Sequence, residues 1–253
     1  MLVTNEPTPP FALTRFVEDV RVLAPVDGYI RHDWLPDGRT SLVLRVLDGG
    51  RRGDVSIAGP RTRALFKDLS GVTRAVVIKF KPGWSLPLFG VAASKIADRI
   101  VPLDDLWGRK GSELYARLVE AQALPAQVEC VSRAISYRVQ RESSSARLAR
   151  RAAQLIEDGH VRVDHVAEKL GVTARHLRRA FIESVGVGPK DYARAVRLQR
   201  AVRLATTSDD WGRIAAEAGY YDQAHFITDF RQLVGLTPGA FARRAREADL
   251  RCE

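Results

Sequence analysis

A 17-residue pattern occurs twice near the C-terminal end of this chain, and a chain that repeats itself at a fixed offset builds one supersecondary unit twice. Phe181, Val185, Gly186, Pro189, Tyr192, Ala193, Arg194 and Arg197 return as Phe230, Val234, Gly235, Pro238, Phe241, Ala242, Arg243 and Arg246, an offset of 49 from 181 to 230. Upstream, Val166-Ala167-x3-Gly171-Val172 pairs with Ile214-Ala215-x3-Gly219-Tyr220 at an offset of 48, so the second turn is longer by one residue. Each copy reads as helix, glycine turn, helix, then Gly-x2-Pro opening a further helix.

The residue types fit a helix-turn-helix. A small residue, Ala167 or Ala215, lets two helices approach closely, and a glycine after the first helix can take the left-handed conformation that ends it. Thr173 and Asp222 stand where an N-cap for the second helix is needed. Leu177, Phe181 and Val185, and equally Phe226, Phe230 and Val234, fall at i, i+4 and i+8 and give each second helix one buried stripe. The first copy then presents Arg175, Arg178 and Arg179 outward in its opening turns, where a recognition helix enters the major groove and arginine can bridge O6 and N7 of guanine. The second copy offers Gln223, Ala224, His225, Ile227 and Thr228. Gln223 suits adenine, Thr228 a phosphate or a thymine methyl, and His225 suits packing as well as contact. Pro189 and the spacing of Tyr192, Val196, Gln199 and Val202 predict one helix from Pro189 to Thr206, about 27 Å long. That is comparable with the ~34 Å turn of DNA, so one chain can carry both half-site readers.

At 253 residues, two domains are expected, divided as 1–140 and 141–253, with the helix-turn-helix units at 163–185 and 211–234. The formal charge of +10 suits a polyanionic partner, yet each half carries 20 Lys+Arg against 15 Asp+Glu, so charge alone does not locate the contact. Cys130 and Cys252 lack the spacing of a disulfide framework, zinc knuckle or redox pair, which fits a reducing cytoplasm. Met1 to Pro10 has neither the basic nor the apolar region of a signal peptide, and no apolar run approaches membrane-spanning length. The expectation is a cytoplasmic, non-membrane protein, associated with the nucleoid when bound to DNA.

Residues 11–105 read differently. Short apolar runs at Ser41–Leu47, Val55–Gly59 and Ala75–Phe80 are broken by Trp34-Leu35-Pro36-Asp37-Gly38, Asp48-Gly49-Gly50 and Lys81-Pro82-Gly83, which favours a small sandwich or barrel. From Ser112 helical spacing takes over, through Leu114, Leu118, Val128, Val131, Ile135 and Val139, up to a linker at Arg141–Ser145. The fold class is therefore α+β: a β-rich sandwich or barrel with helices, followed by an all-α domain. This half has one histidine, His32, expected to pack or cap, and Asp104-Asp105 reads as a charge pair at a helix N-terminus. No metal cluster, Gly-rich phosphate loop or catalytic triad is legible, so neither a metal, a cofactor nor an enzymatic activity is expected. Trp34, Arg45, Phe80 and Trp84 are candidates to line a ligand pocket, and equally to form the core and rim of the sandwich.

The C-terminal hundred residues resemble the AraC/XylS family of transcriptional regulators. The resemblance rests on Ile214-Ala215-x3-Gly219-Tyr220 followed by Asp222-x3-Phe226-x3-Phe230-x4-Gly235-x2-Pro238. It implies recognition helices beginning at Ala174 and Gln223 and a sequence-specific regulator of transcription bound to double-stranded DNA. A basic residue is expected where Thr228 stands, so the first unit is expected to carry the larger share of recognition. The N-terminal half resembles the cupin-like sensor domains of that family, which implies a small-molecule effector, a homodimer through residues 1–140, or both, with RNA polymerase as a further partner. The competing reading is a non-specific architectural DNA-binding protein, for which the positive charge suffices.

Overall fold

The structure is a computed structural model that describes residues 14–26, 28–47, 52–121, 123–139, 142–160 and 162–250. The turn at Asp48-Gly49-Gly50, the residue Arg141, the N-terminal segment and Cys252 lie outside the described residues.

Among the described residues the N-terminal half contains seven strands: β1 (Val17–Leu23), β2 (Tyr29–Trp34), β3 (Ser41–Leu47), β4 (Arg52–Ala58), β5 (Leu65–Ser70), β6 (Val72–Phe80) and β7 (Ile100–Pro102). Five of them make an antiparallel sheet in the order β1-β6-β3-β4-β7, and β2 and β5 pair as a separate two-stranded ribbon. The run Ser41–Leu47 is nearly all apolar because the sheet is covered on both faces. Leu42, Leu44, Val46, Val76, Ile78 and Phe80 pack on the helical side, while Val43, Ala58, Ala75 and Val77 meet Ile30 and Trp34 of the ribbon.

The helical layer consists of α1 (Ser85–Phe89), α2 (Ala93–Ile96), α3 (Leu103–Trp107), α4 (Arg109–Glu120) and α5 (Leu124–Arg138). Its core includes Leu88, Phe89, Ile96, Trp107, Leu114, Leu118, Val128, Val131 and Ile135. Asp104 and Asp105 occupy the first turn of α3, where negative charge complements the helix dipole.

Ser143, read from sequence as linker, is instead the N-cap of α6 (Ser144–Glu157), its hydroxyl accepting from the Ala146 amide. The alanine stripe of α6 allows close helix packing. Then follow α7 (Val163–Lys169), α8 (Ala174–Val185), α9 (Pro189–Leu204), α10 (Trp211–Ala218), α11 (Gln223–Val234) and α12 (Pro238–Leu250). Among the described residues no helix is long and apolar enough to cross a membrane.

His32 sits edge-on to Trp34 at 4.6 Å, with its Nε2 unpartnered. Burial, assisted by Lys79 and Arg21 and opposed by Asp37, lowers its pKa from 6.5 to about 4. Between those values the unfolded chain binds a proton that the folded chain does not, so stability falls as pH drops from 6.5 toward 4, by up to about 1.4 kcal/mol per pH unit. Denaturant unfolding of wild type and His32→Leu across this range checks the expectation. Parallel pH profiles would show that His32 is not the group involved.

Candidate nucleic-acid interface

Two small cores build the interface. The first gathers Ala149, Ala152 and Ile156 of α6, Val166 and Ala167 of α7, Leu177, Phe181 and Val185 of α8, and Tyr192 of α9. The second gathers Leu198 and Ala201 of α9, Ile214 and Ala215 of α10, and Phe226, Phe230 and Val234 of α11. One end of α9 is thus buried in each core. With 16 residues it spans about 24 Å. Its buried positions are Pro189, Tyr192, Ala193, Ala195, Leu198 and Ala201; of the residues whose spacing predicts the helix, Tyr192 is buried, Val196 and Val202 are half-buried against the two cores, and Gln199 is half-buried. A helix packed by a different core at each end has no single apolar face for periodicity to report.

The turn chemistry follows the sequence. Gly219 ends α10 at φ +88 and Gly171 stands at φ +66 after α7. Thr173 caps α8 by accepting from the His176 amide, and Asp222 caps α11 by accepting from the His225 amide. Helices α8 and α11 begin at Ala174 and Gln223.

All six candidate DNA-contacting residues, Arg175, Arg178, Arg179, Gln223, His225 and Thr228, are exposed. Three of them, Arg178 of α8 and His225 and Thr228 of α11, line one groove of about 810 Å³ between the helices. Arg175, Arg179 and Gln223 do not line it. Arg178 lies 3.9 Å from Asp164 on α7, both well exposed. The His225 ring meets Tyr220 edge-on at 5.5 Å, so packing and exposure coexist there.

Sequence reading missed the residues that tie α9 to α11. On the groove floor Arg194 of α9 donates from Nε to Asp229 at 2.7 Å and from Nη2 to Gln232 at 2.8 Å. Arg197 approaches the other Asp229 oxygen at 3.9 Å and lies over the Tyr220 ring at 5.1 Å. Burial raises the Tyr220 pKa, with Asp229 adding to the effect. In the other copy Ala180 occupies the position equivalent to Asp229, and that substitution between repeats was the available signal.

The N-terminal half braces both units away from this groove. Arg39 pairs with Glu18 and, at 3.0 Å, with Glu157 of α6, which also accepts from the Tyr192 hydroxyl. Burial pushes the Tyr192 pKa well up. Gln199 of α9 donates to the Pro36 carbonyl at 2.8 Å, the Ala64 amide donates to the Leu233 carbonyl at 2.8 Å, and Arg244 of α12 reaches Asp33 at 3.3 Å. Leu35, Ala64 and Phe66 pack on the second core. Of the pocket candidates, Phe80 and Trp84 are core residues, Trp34 packs on the ribbon core, and Arg45 pairs with Asp54 at 2.6 Å. Trp84 also borders a pocket of about 500 Å³ together with Arg39, Lys81, Arg150 and Glu157. Trp84 has Arg150 of α6 over its ring at 4.1 Å, another brace between the halves.

Comparison with known proteins matches residues 166–244 to a family described as a helix-turn-helix domain, and residues 5–102 to a domain of unknown function, DUF6597. The chain is 40% identical over 81 residues to the HTH-type transcriptional regulator GlxA of Rhizobium meliloti, covering 32% of this chain and 25% of that protein. It is 40% identical over 99 residues to the probable bifunctional transcriptional activator/DNA repair enzyme AlkA of Mycobacterium tuberculosis, covering 38% of this chain and 20% of that one. The chain therefore spans a quarter or less of the length of these relatives. Among solved structures, the C-terminal domain of the response regulator AraT from Geobacillus stearothermophilus is 27% identical, with a TM-score of 0.38, over 40% of this chain and 88% of that one.

Proposed function

We propose that this chain, whose C-terminal helix-turn-helix domain is of the AraC/XylS type, is a sequence-specific DNA-binding regulator of transcription that reads two successive major grooves. The observation that carries the reading is that residues from the outward faces of α8 and α11 border one groove, so both readers address the same side of a duplex. Arg175, Arg178 and Arg179 supply base discrimination in one major groove, and Gln223, His225 and Thr228 supply a weaker, uncharged set in the next. Residues 141–253 form the DNA-binding domain. Residues 1–140 form a regulatory domain that takes a small effector, pairs with a second copy, or does both, and so adjusts DNA binding or contact with RNA polymerase. In this reading the chain is not an enzyme and works in the cytoplasm, on the nucleoid.

Selection of bound sequences from a random duplex pool tests this. Two half-sites about 10–10.5 bp apart are expected; enrichment of no sequence would replace the reading with architectural binding. Replacing Arg178 or Arg179 with Ala is expected to cost about 1–3 kcal/mol at one half-site and to relax its base preference. Equal weakening on every duplex would remove these arginines from base reading.

A further inference from the structure

We propose that the groove between α8 and α11 seats the DNA backbone, with Arg162 and Lys190 holding the phosphates that border the minor groove. This rests on reading α8 and α11 as the two major-groove helices. Where two major grooves are read from one side, the stretch of duplex between them turns its minor groove, about 6 Å wide and flanked by both phosphate strands, toward the protein. Apart from the reading side chains of α8 and α11 on its rims, whatever lines the space between the readers therefore faces phosphate rather than base edges.

Cations that hold phosphates must not already be neutralised. Asp229 occupies Arg194 and Arg197 on the floor, and Asp164 shares Arg178 on the rim. Arg162 and Lys190 differ. Both line the groove and are exposed, and among the described residues neither side chain has an ion-pair or hydrogen-bond partner. Both stand at helix starts: Arg162 is the N-cap residue of α7, and Lys190 follows Pro189 in the first turn of α9. Of the two carboxylates lining the groove, Asp229 is buried against arginines and Asp164, exposed, lies 3.9 Å from Arg178. Lysine acts on phosphate as a point charge without base discrimination, and an arginine contacting only the backbone likewise carries no sequence information.

The test is a salt titration of the full chain on its selected operator and on a scrambled duplex, comparing wild type, Arg162→Gln, Lys190→Gln and the double variant. Each single change is expected to lower the slope of log affinity against log salt by about 0.9, and to weaken binding about fivefold near 0.15 M salt on both duplexes, with the selected sequence unchanged. Lys190→Arg is expected to keep the wild-type slope. Arg109→Gln, an exposed cation on α4, serves as a control and is expected to change nothing. A wild-type slope in the double variant overturns the assignment, as does an altered base preference. A wild-type chain that enriches no sequence overturns the two-groove reading itself, whereas a wild-type operator with unaffected glutamine variants overturns only the groove.

Discussion

Asp229→Ala is expected to destabilise the chain by about 3 kcal/mol and to remove recognition at the second half-site while leaving the first. The carboxylate is 7% exposed and faces two guanidinium groups, Arg194 at 2.6 Å and Arg197 at 3.9 Å. Deleting one partner of a buried pair leaves the other charge uncompensated, which typically costs about 3–5 kcal/mol. The arginines here keep 23% and 19% of their side-chain surface, so part of that cost is relieved by water and the lower end applies. Because Arg194 belongs to α9 and Asp229 to α11, the pair fixes α11 against α9. Loss of the pair should therefore disturb the second reader before the first. Urea unfolding measures the stability, and selection of bound sequences measures half-site use. A variant within about 0.5 kcal/mol of wild type, the range of surface substitutions, would show that the pair does not hold the unit.

Gly38→Ala is expected to cost about 2–5 kcal/mol at the junction between the two halves. Gly38 adopts φ +68, a conformation that costs a residue bearing a Cβ about 1–2 kcal/mol. A Cβ there would also meet Tyr192 Cε2 at 2.5 Å. Tyr192 has no room to yield: it is fully buried, lies edge-on to Phe181 at 5.4 Å, and is tied through its hydroxyl to Glu157. Overpacking of this kind adds about 1–3 kcal/mol. Hydrogen exchange should show increased opening at β3 and α9, while the selected DNA sequence stays unchanged because the reading residues lie on the other side. Wild-type protection at both elements would mean that the halves are not held together at this contact.

These two substitutions mark where sequence reasoning stops. The Arg175, Arg178 and Arg179 cluster was legible because a helix period assigns inward and outward faces, and Leu177, Phe181 and Val185 claim the inward one. The glycine turns and the caps at Thr173 and Asp222 were legible because left-handed backbone and orphan amides demand particular residue types within a few positions. By contrast, β1, β2 and β5 are interrupted by charged residues and show no continuous apolar run, and the short helices α1 to α3 carry too few residues for a period to declare itself.

What the sequence determined by itself, then, is local and repeated: two helix-turn-helix units, their start points, and unequal outward faces. The tertiary structure decided what each inward face meets. Asp229 reads as one more position on α11 until α9 brings Arg194 and Arg197 to it, and Gly38 reads as a turn glycine until Tyr192 closes over it. The repeated arginines diverge in the same way, Arg197 turning into the groove while its counterpart Arg246 pairs with Asp209 at the surface. Periodicity specifies that a face is buried, whereas its partner depends on contacts between residues as far apart as 64 and 233, which no short-range pattern encodes.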